Sequence, residues 1–336
     1  MNRKLSLILL VLAFSLVVAA CGSQPTSTPP EGENANQGAA PSESPSSSPE
    51  PGQAESPEEL VITHELGETP VTKNPEKIVV FDFGVLDSLD KLGIEVTGVP
   101  QANIPPYLSK YEDSQYINVG SLKEADFEAI SEIDPDLIII SGRQSEFYDE
   151  LSKLGPTIFL GVDTSRYLES YEENARVLGE IFGKEAEVEA ELEAVENAIA
   201  ALNEKATASG KNALIILAND GNISAYGPGS RFGILHDVFG LAPVDDSIEV
   251  STHGMTISFE YIQEKNPDYL FVVDRGAVVT TGESTAKQIV ENELVKRTTA
   301  YEEDQIVYLD PNYWYLSGGG LISVAEMVKE VDAAVK

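Results

Sequence analysis

An internal repeat constrains the fold of this chain more than any other feature of its sequence. The segment 127–143, FEAISEIDPDLIIISGR, recurs at 259–275 as FEYIQEKNPDYLFVVDR, with Phe, Glu, Ile, Pro, Asp and Arg in register. Each copy has a helical pattern, a proline turn, and an apolar run of strand type that ends near an arginine. Because a helix and a buried strand form one α/β unit, the repeat predicts two similar α/β lobes.

A long helical pattern lies between the two copies. Residues 184–208 contain no Gly or Pro, and their large apolar residues recur at helical spacing. We therefore predict two Rossmann-like α/β lobes, at 59–183 and 209–336, joined by a single long helix at 184–208, with a ligand cleft between the lobes. One more helix inside a lobe is the alternative. The residues of the apolar stripe are Val188, Leu192, Val195, Ile199 and Leu202.

The N-terminal segment predicts where the protein resides. Arg3 and Lys4 precede an apolar run that is too short for a stable membrane span, which is typical of a signal peptide at 1–20. Small residues then precede Cys21, the only cysteine in the chain, and this pattern resembles the lipobox of bacterial lipoproteins. The resemblance implies cleavage before Cys21 and acylation of its new N-terminus. A plain secretory signal with an incidental cysteine is the alternative.

Composition changes sharply after the cysteine. Residues 21–58 are rich in Ser, Pro, Gly, Glu and Gln and have almost no large apolar side chains. Such a segment cannot bury enough surface to offset its ordering entropy, so we predict a disordered tether. A lipid anchor followed by a long tether indicates the extracytoplasmic face of the cell membrane, in a Gram-positive bacterium.

The charge balance restricts the possible partners. The chain has 56 acidic and 22 basic residues and a formal net charge of −34. A surface of this kind repels nucleic acid and anionic lipid headgroups. An anionic ligand would therefore need a site in which arginine or lysine side chains are locally concentrated.

Several further segments resemble the petrobactin-type catecholate-siderophore receptors, which belong to the helical-backbone class of ABC-transporter substrate-binding proteins. They are VVFDFG at 79–84, IISGR at 139–143, AYGPGSRFG at 225–233, STHG at 251–254, VDRG at 273–276 and YWYLSGGG at 313–320. The resemblance implies a lipoprotein that binds a ferric siderophore and delivers it to the permease subunits of an ABC importer. A haem or corrinoid receptor of the same fold is the alternative.

The resemblance also implies a set of ligand-binding residues. In that family three arginines line the cleft and pair with catecholate oxygens, while a histidine and a tyrosine can ligate iron directly. Arginine suits this task because its planar, permanently charged fork donates several hydrogen bonds. An arginine that follows a strand also projects into the crevice at the carboxyl edge of the sheet. The matching positions here are Arg143, Arg231, Arg275, His253 and Tyr315, with Tyr313 as the other candidate tyrosine.

The aromatic run at 313–315 has two interpretations. Tyr313, Trp314 and Tyr315 could form a wall against catechol rings or pair with arginine through cation–π contacts. Core packing is the alternative, for Trp314 in particular. The histidines are scattered and lack metal-ligand spacing, so we expect iron to be carried by the siderophore, with no other cofactor.

Acidic residues are the expected contacts for the permease. In the wider class, one acidic residue on each lobe pairs with permease arginines, and the candidates here are Glu128 and Asp237. Glu260 occupies the same place in the second repeat copy as Glu128 does in the first, and it is a further candidate. The alternative for each of these residues is an acidic side chain that only faces solvent. We find no nucleophile–base pair near a motif, so we predict a monomeric binding protein and not an enzyme.

Overall fold

Short apolar runs alternate with amphipathic helices along the chain, and in the computed structural model they form two large sheets with helices packed against them, together with one two-stranded hairpin. The structure describes residues 58–279 and 286–336. The predicted signal peptide, the lipidation site at Cys21 and the tether as far as residue 57 lie outside the described residues. Within the described part, no helix has the length and hydropathy that a membrane span requires.

The first lobe contains a parallel sheet of five strands. Its elements are β1 (Glu59–His64), β2 (Gly67–Thr72), β3 (Ile78–Val80), α1 (Phe83–Lys91), β4 (Gly98–Val99), β5 (Ile117–Asn118), α2 (Phe127–Ile133), β6 (Leu137–Ile140), α3 (Tyr148–Leu151), β7 (Thr157–Phe159) and α4 (Tyr167–Phe182). The strand order is β5-β4-β3-β6-β7. The hairpin β1-β2 packs beside β7, where the hydroxyl of Thr69 donates to the Thr157 carbonyl at 2.7 Å.

The second lobe follows the helix α5 (Glu185–Ser209) and contains a mixed sheet of six strands. Its elements are β8 (Asn212–Asn219), β9 (Asn222–Tyr226), α6 (Ile234–Asp237), β10 (Ala242–Pro243), β11 (Met255–Ile257), α7 (Phe259–Lys265), β12 (Tyr269–Asp274), α8 (Gly276–Val279), α9 (Ala286–Val290), α10 (Thr299–Glu302), β13 (Ile306–Leu309) and α11 (Leu321–Ala334). The order is β11-β9-β8-β12-β13, and β10 pairs with the start of β8. Strands β8, β12 and β13 are parallel, whereas β9 runs antiparallel to β8.

The sequence repeat appears as α2–β6 in one sheet and α7–β12 in the other. Each helix ends in a residue with left-handed backbone, Asp134 with φ 53° and Asn266 with φ 48°. The aspartate of each Pro-Asp pair then accepts a hydrogen bond from the start of the neighbouring strand region. Asp136 accepts from the amide of Lys77 at 2.8 Å, and Asp268 accepts from that of Asn212 at 2.9 Å. The repeated residues therefore build the same helix–strand junction twice.

Two helices link the lobes. Helix α5 is the covalent connection, and its buried residues are the predicted apolar stripe with Ala206 added. It packs against α4 of the first lobe and against α11, which itself packs against α1. The fold predicted from the repeat, two α/β lobes joined by a single long helix, is confirmed, and the C-terminal helix adds a second, non-covalent link.

Candidate functional site

The three predicted arginines meet at one residue, Tyr315. The Nη2 atoms of Arg143 and Arg231 each donate to the main-chain carbonyl of Tyr315 at 2.7 Å. The Nε atom of Arg275 donates to the hydroxyl of the same tyrosine at 2.8 Å. Arg143 follows β6 in the first lobe, whereas Arg231 and Arg275 belong to the second lobe. Side chains from both halves of the molecule therefore converge on one point.

A tight glycine-rich loop presents Arg231. Gly229 has φ +69°, a conformation that favours glycine, and its amide donates to the carboxylate of Asp237 at 2.6 Å. The guanidinium group that follows lies 4.2 Å from the ring centroid of Tyr315 and 5.5 Å from that of Phe232. Arg231 is thus held by a backbone turn on one side and by two aromatic faces on the other.

The site carries positive charge with little internal neutralisation. Among residues 58–279 and 286–336, neither Arg231 nor Arg275 forms an ion pair with a carboxylate, and Arg143 has only a long one, 3.9 Å from Asp82. Burial and the nearby charge of Arg143 lower the pKa of Arg231. Grouped cations of this kind are costly without a counter-charge, so the arrangement favours an anionic ligand.

The same charges act on the phenol at the centre. Burial alone would raise the pKa of Tyr315, but the hydrogen bond from Arg275 and the charges of Arg231, Arg275 and Arg143 outweigh it. The pKa of Tyr315 therefore lies below its ordinary value of 10.0. A lower pKa makes the phenolate form more accessible, and the phenolate is the form of tyrosine that can bind a ferric ion.

This electrostatic effect gives a testable pH dependence. We expect Arg275→Ala to raise the pKa of Tyr315, because the variant loses a hydrogen bond to the phenolate while burial remains. Ultraviolet difference titration of wild type against Tyr315→Phe isolates the signal of this phenol. Arg297→Ala, which removes an exposed arginine from another part of the second lobe, is the matched control. An unshifted titration in Arg275→Ala would contradict the assignment.

Among the aromatic residues that the structure describes, the arginines make their hydrogen bonds and cation–π contacts with Tyr315 and Phe232, and make none with the other two aromatic candidates. Trp314 is 3% exposed, its Nε1 donates to Glu330 at 2.8 Å, and its ring packs edge-on against Phe232. This is the core placement that the sequence left open, so we omit Trp314 from the proposed ligand contacts. Tyr313 packs against Tyr107 of the first lobe, with ring centroids 4.9 Å apart. Of the candidate tyrosines, Tyr315 is therefore the one that meets the arginines.

His253 lies in an exposed loop. Its amide donates to the hydroxyl of Ser251 at 3.2 Å, and the next residue, Gly254, packs against the ring of Tyr226. The ring of Tyr226 packs in turn against that of Phe232, the chain neighbour of Arg231, with centroids 4.6 Å apart. The described residues contain no group of three or more His, Cys, Asp or Glu side chains that could hold a metal ion. A contact of His253 with iron stays a prediction.

Two residues that the sequence analysis did not single out orient the arginines. The side-chain carbonyl of Asn219 accepts from Nη1 of Arg275 at 2.7 Å. Asp82 caps α1 through the amides of Gly84 and Val85, at 2.8 and 3.0 Å, and so fixes the carboxylate that faces Arg143. Asn219 ends a strand and Asp82 comes soon after one, as Arg143 and Arg275 do. Residues that follow parallel strands lie at the carboxyl edge of the sheet, and this expectation, which applied to the two arginines, could also have identified Asn219 and Asp82.

The predicted docking residues lie on the surface of the two lobes. Glu128 is exposed in the first turn of α2, and Glu260 is exposed in the first turn of α7. Asp237 is also exposed, but its carboxylate accepts the hydrogen bond from Gly229 in the loop that carries Arg231. Asp237 therefore orders the loop that carries Arg231, in addition to its predicted role in docking to the permease.

Comparison with known proteins agrees with this geometry. Residues 78–313 match the periplasmic binding protein family. The chain is 48% identical over 333 residues, 98% of each protein, to the petrobactin-binding protein YclQ of Bacillus subtilis. The crystal structure of YclQ matches with a TM-score of 0.81 and 52% identity, covering 83% of this chain and 99% of that one. The catecholate-siderophore binding protein VctP of Vibrio cholerae matches with a TM-score of 0.80 and 40% identity, covering 82% and 100%. The chain belongs to the periplasmic binding protein family.

Proposed function

We propose that this protein binds a ferric catecholate-type siderophore, similar to petrobactin, outside the cytoplasm and delivers it to the permease of an ABC importer. The observation that carries the proposal is the convergence of Arg143, Arg231 and Arg275 on Tyr315. The names of the relatives, a petrobactin-binding protein and a catecholate-siderophore binding protein, support the same ligand class.

The chemistry of such a ligand suits the site. A ferric catecholate keeps a net negative charge, because the deprotonated catechol oxygens outnumber the positive charges of the ferric ion. These oxygens stay accessible at the surface of the complex and accept charge-assisted hydrogen bonds from guanidinium groups. Tyr315, with its lowered pKa, would fill a coordination position that a smaller siderophore leaves open. No covalent step is needed, so we propose a binding role without catalysis.

The attachment to the membrane is part of the proposal. After removal of the signal peptide at 1–20, acylated Cys21 would hold the protein at the outer face of the membrane through the tether at 21–58. The lobes at 59–183 and 209–336, with the helix at 184–208 between them, would then act as a monomer near the permease. A single acyl chain binds a membrane reversibly, whereas two or more give stable anchoring.

The ligand class can be tested with the protein's single tryptophan. Trp314 is the chain neighbour of Tyr315, so a coloured ferric complex at the site should quench its fluorescence in a saturable way. We expect quenching by ferric petrobactin and other ferric catecholates, and weaker effects from ferric hydroxamates. Haem and cobalamin serve as controls. Quenching by haem or cobalamin alone would overturn the proposal in favour of a haem or corrinoid receptor.

Docking to the permease gives a separate prediction. Glu128→Ala should leave siderophore binding unchanged but reduce uptake of radiolabelled iron by cells about fivefold, since one exposed ion pair contributes about 1 kcal/mol. Glu150→Ala, which removes the same charge from an exposed position of α3, is the matched control. Asp237→Ala should reduce uptake and also weaken binding, because it releases the amide of Gly229. Lost binding in Glu128→Ala would give that residue a different role.

A further inference from the structure

A buried carboxylate of the first lobe lies at the N-terminus of the C-terminal helix. Oδ1 of Asp87 accepts from the amide of Ile322 at 3.1 Å, and Oδ2 accepts from the amide of Ser323 at 3.0 Å. The hydroxyl of Ser88 accepts from the amide of Leu321 at 3.0 Å. The first amides of a helix have no partner within it. Here residues of α1 supply those partners, although they are more than 200 positions earlier in the chain.

Two glycines allow this contact. A Cβ atom at Gly320 would overlap the carboxylate of Asp87 and the carbonyl of Gly84, and a Cβ atom at Gly84 would overlap the carbonyl of Ser317. Helix α1 and the start of α11 therefore approach with backbone against backbone. A junction this close has little room to slide, because close-packed interiors do not deform continuously.

This junction is continuous with the ligand site. Residues Asn312–Ser317 form a π-helical turn that ends shortly before α11. Within the turn, Trp314 packs in the core that includes Phe232 and Phe239, whereas Leu316 packs in the core of the first lobe. Tyr315 lies between these two anchored residues. Its position therefore depends on how firmly the end of the turn is fixed to α1.

We propose that Asp87 is a positioning residue of the ligand site, which fixes the turn at 312–317 to the first lobe and so holds Tyr315 within reach of the three arginines. The identity of the ligand in this inference rests on the proposed function. The anchoring itself rests on the hydrogen bonds to Ile322 and Ser323. Removing them would let the start of α11 separate from α1, and the arginines would lose a fixed partner.

The surroundings of Asp87 give the anchor its own pH dependence. The titratable groups that face it are the phenols of Tyr107, Tyr167, Tyr171 and Tyr313, and in the described part of the chain it forms no ion pair. Burial raises its pKa to about 7, although hydrogen bonds from Ser323, Ile322 and Tyr107 oppose the shift. The folded state then holds this proton more tightly than the unfolded state does. Stability contributed by the protonated carboxyl is therefore lost as pH rises from about 4 to 7.

The test uses Asp87→Asn in the full chain. The amide keeps the size of the side chain but cannot accept from both helix amides and Tyr107 as a carboxylate does. We expect roughly tenfold weaker binding of the ferric catecholate that wild type binds best, and faster hydrogen exchange at the amides of Ile322 and Ser323. The variant should also lose the contribution of Asp87 to the pH dependence, so its deficit in melting temperature relative to wild type should shrink as pH rises from 4 to 7, a change that a purely structural defect would not cause.

The matched control is Asp90→Asn on the same helix. Asp90 pairs with Lys110 and accepts from the hydroxyl of Tyr111, and it makes no hydrogen bond to α11. Asp90→Asn should change neither the affinity for the siderophore nor the hydrogen exchange of the amides at the start of α11. Wild-type affinity and exchange in Asp87→Asn would overturn the inference, whereas a wild type that binds no siderophore would overturn the proposed function alone. If Asp87→Asn does not fold, Ser88→Ala removes the acceptor of the Leu321 amide at the same junction between α1 and α11. Wild-type affinity and exchange in that variant would then overturn the inference.

Discussion

Replacing Arg231 by alanine is expected to weaken binding of the ferric siderophore by roughly 10- to 150-fold. A hydrogen bond to a charged group contributes about 1.5–3 kcal/mol, and Arg231 is a half-buried cation that meets two aromatic faces. Arg143→Ala and Arg275→Ala should each fall in the same range. The affinity is measured by titration with the ferric catecholate that quenches the fluorescence of Trp314, and the measurement is repeated by isothermal titration calorimetry.

Two controls separate charge from geometry in this series. Arg231→Lys keeps the positive charge but loses the planar fork, so it should recover only part of the affinity. Arg297→Ala removes an exposed arginine outside the site and should bind as wild type does. Wild-type affinity in all three alanine variants would refute the site.

Replacing Trp314 by alanine is expected to lower the free energy of unfolding by about 3–5 kcal/mol, because it removes a buried indole and leaves a cavity. Glu330 would also lose its hydrogen bond from the indole nitrogen. Urea denaturation followed by circular dichroism measures the effect without the tryptophan signal. Trp314→Phe should cost less and should keep affinity close to that of wild type. The opposite result, normal stability with lost affinity, would restore Trp314 to the ligand contacts.

Much of the fold could be predicted because it depends on local patterns. The apolar run of the first repeat copy predicted a strand, and β6 occupies Leu137–Ile140. The helix predicted at 184–208 is Glu185–Ser209. Burial of one face fixes the spacing of apolar residues within each element, so the spacing can be recognised without the partner. The repeat then supplied the two lobes, and Arg143 and Arg275 followed from their places after strands.

Residues whose partners are distant in the chain could not be predicted in this way. Asp87 interrupts the apolar pattern of α1, and a charged side chain is ordinarily expected at the surface. Its partners begin at Ile322, and no local signal connects the two. The resemblance favoured Tyr315 over Tyr313, but no local pattern separates the two tyrosines, since a π-helical turn does not follow the ordinary helical period. The resemblance alone gave no reason to expect that Asp237 orders the loop of Arg231.

The acceptor shared by Arg143 and Arg231 is a main-chain carbonyl. Every amino acid supplies this atom, so the two guanidinium groups keep their acceptor whichever side chain stands at position 315. A lineage can therefore exchange the phenol there for another group, and so change which iron complexes are accepted, without rebuilding the cationic part of the receptor.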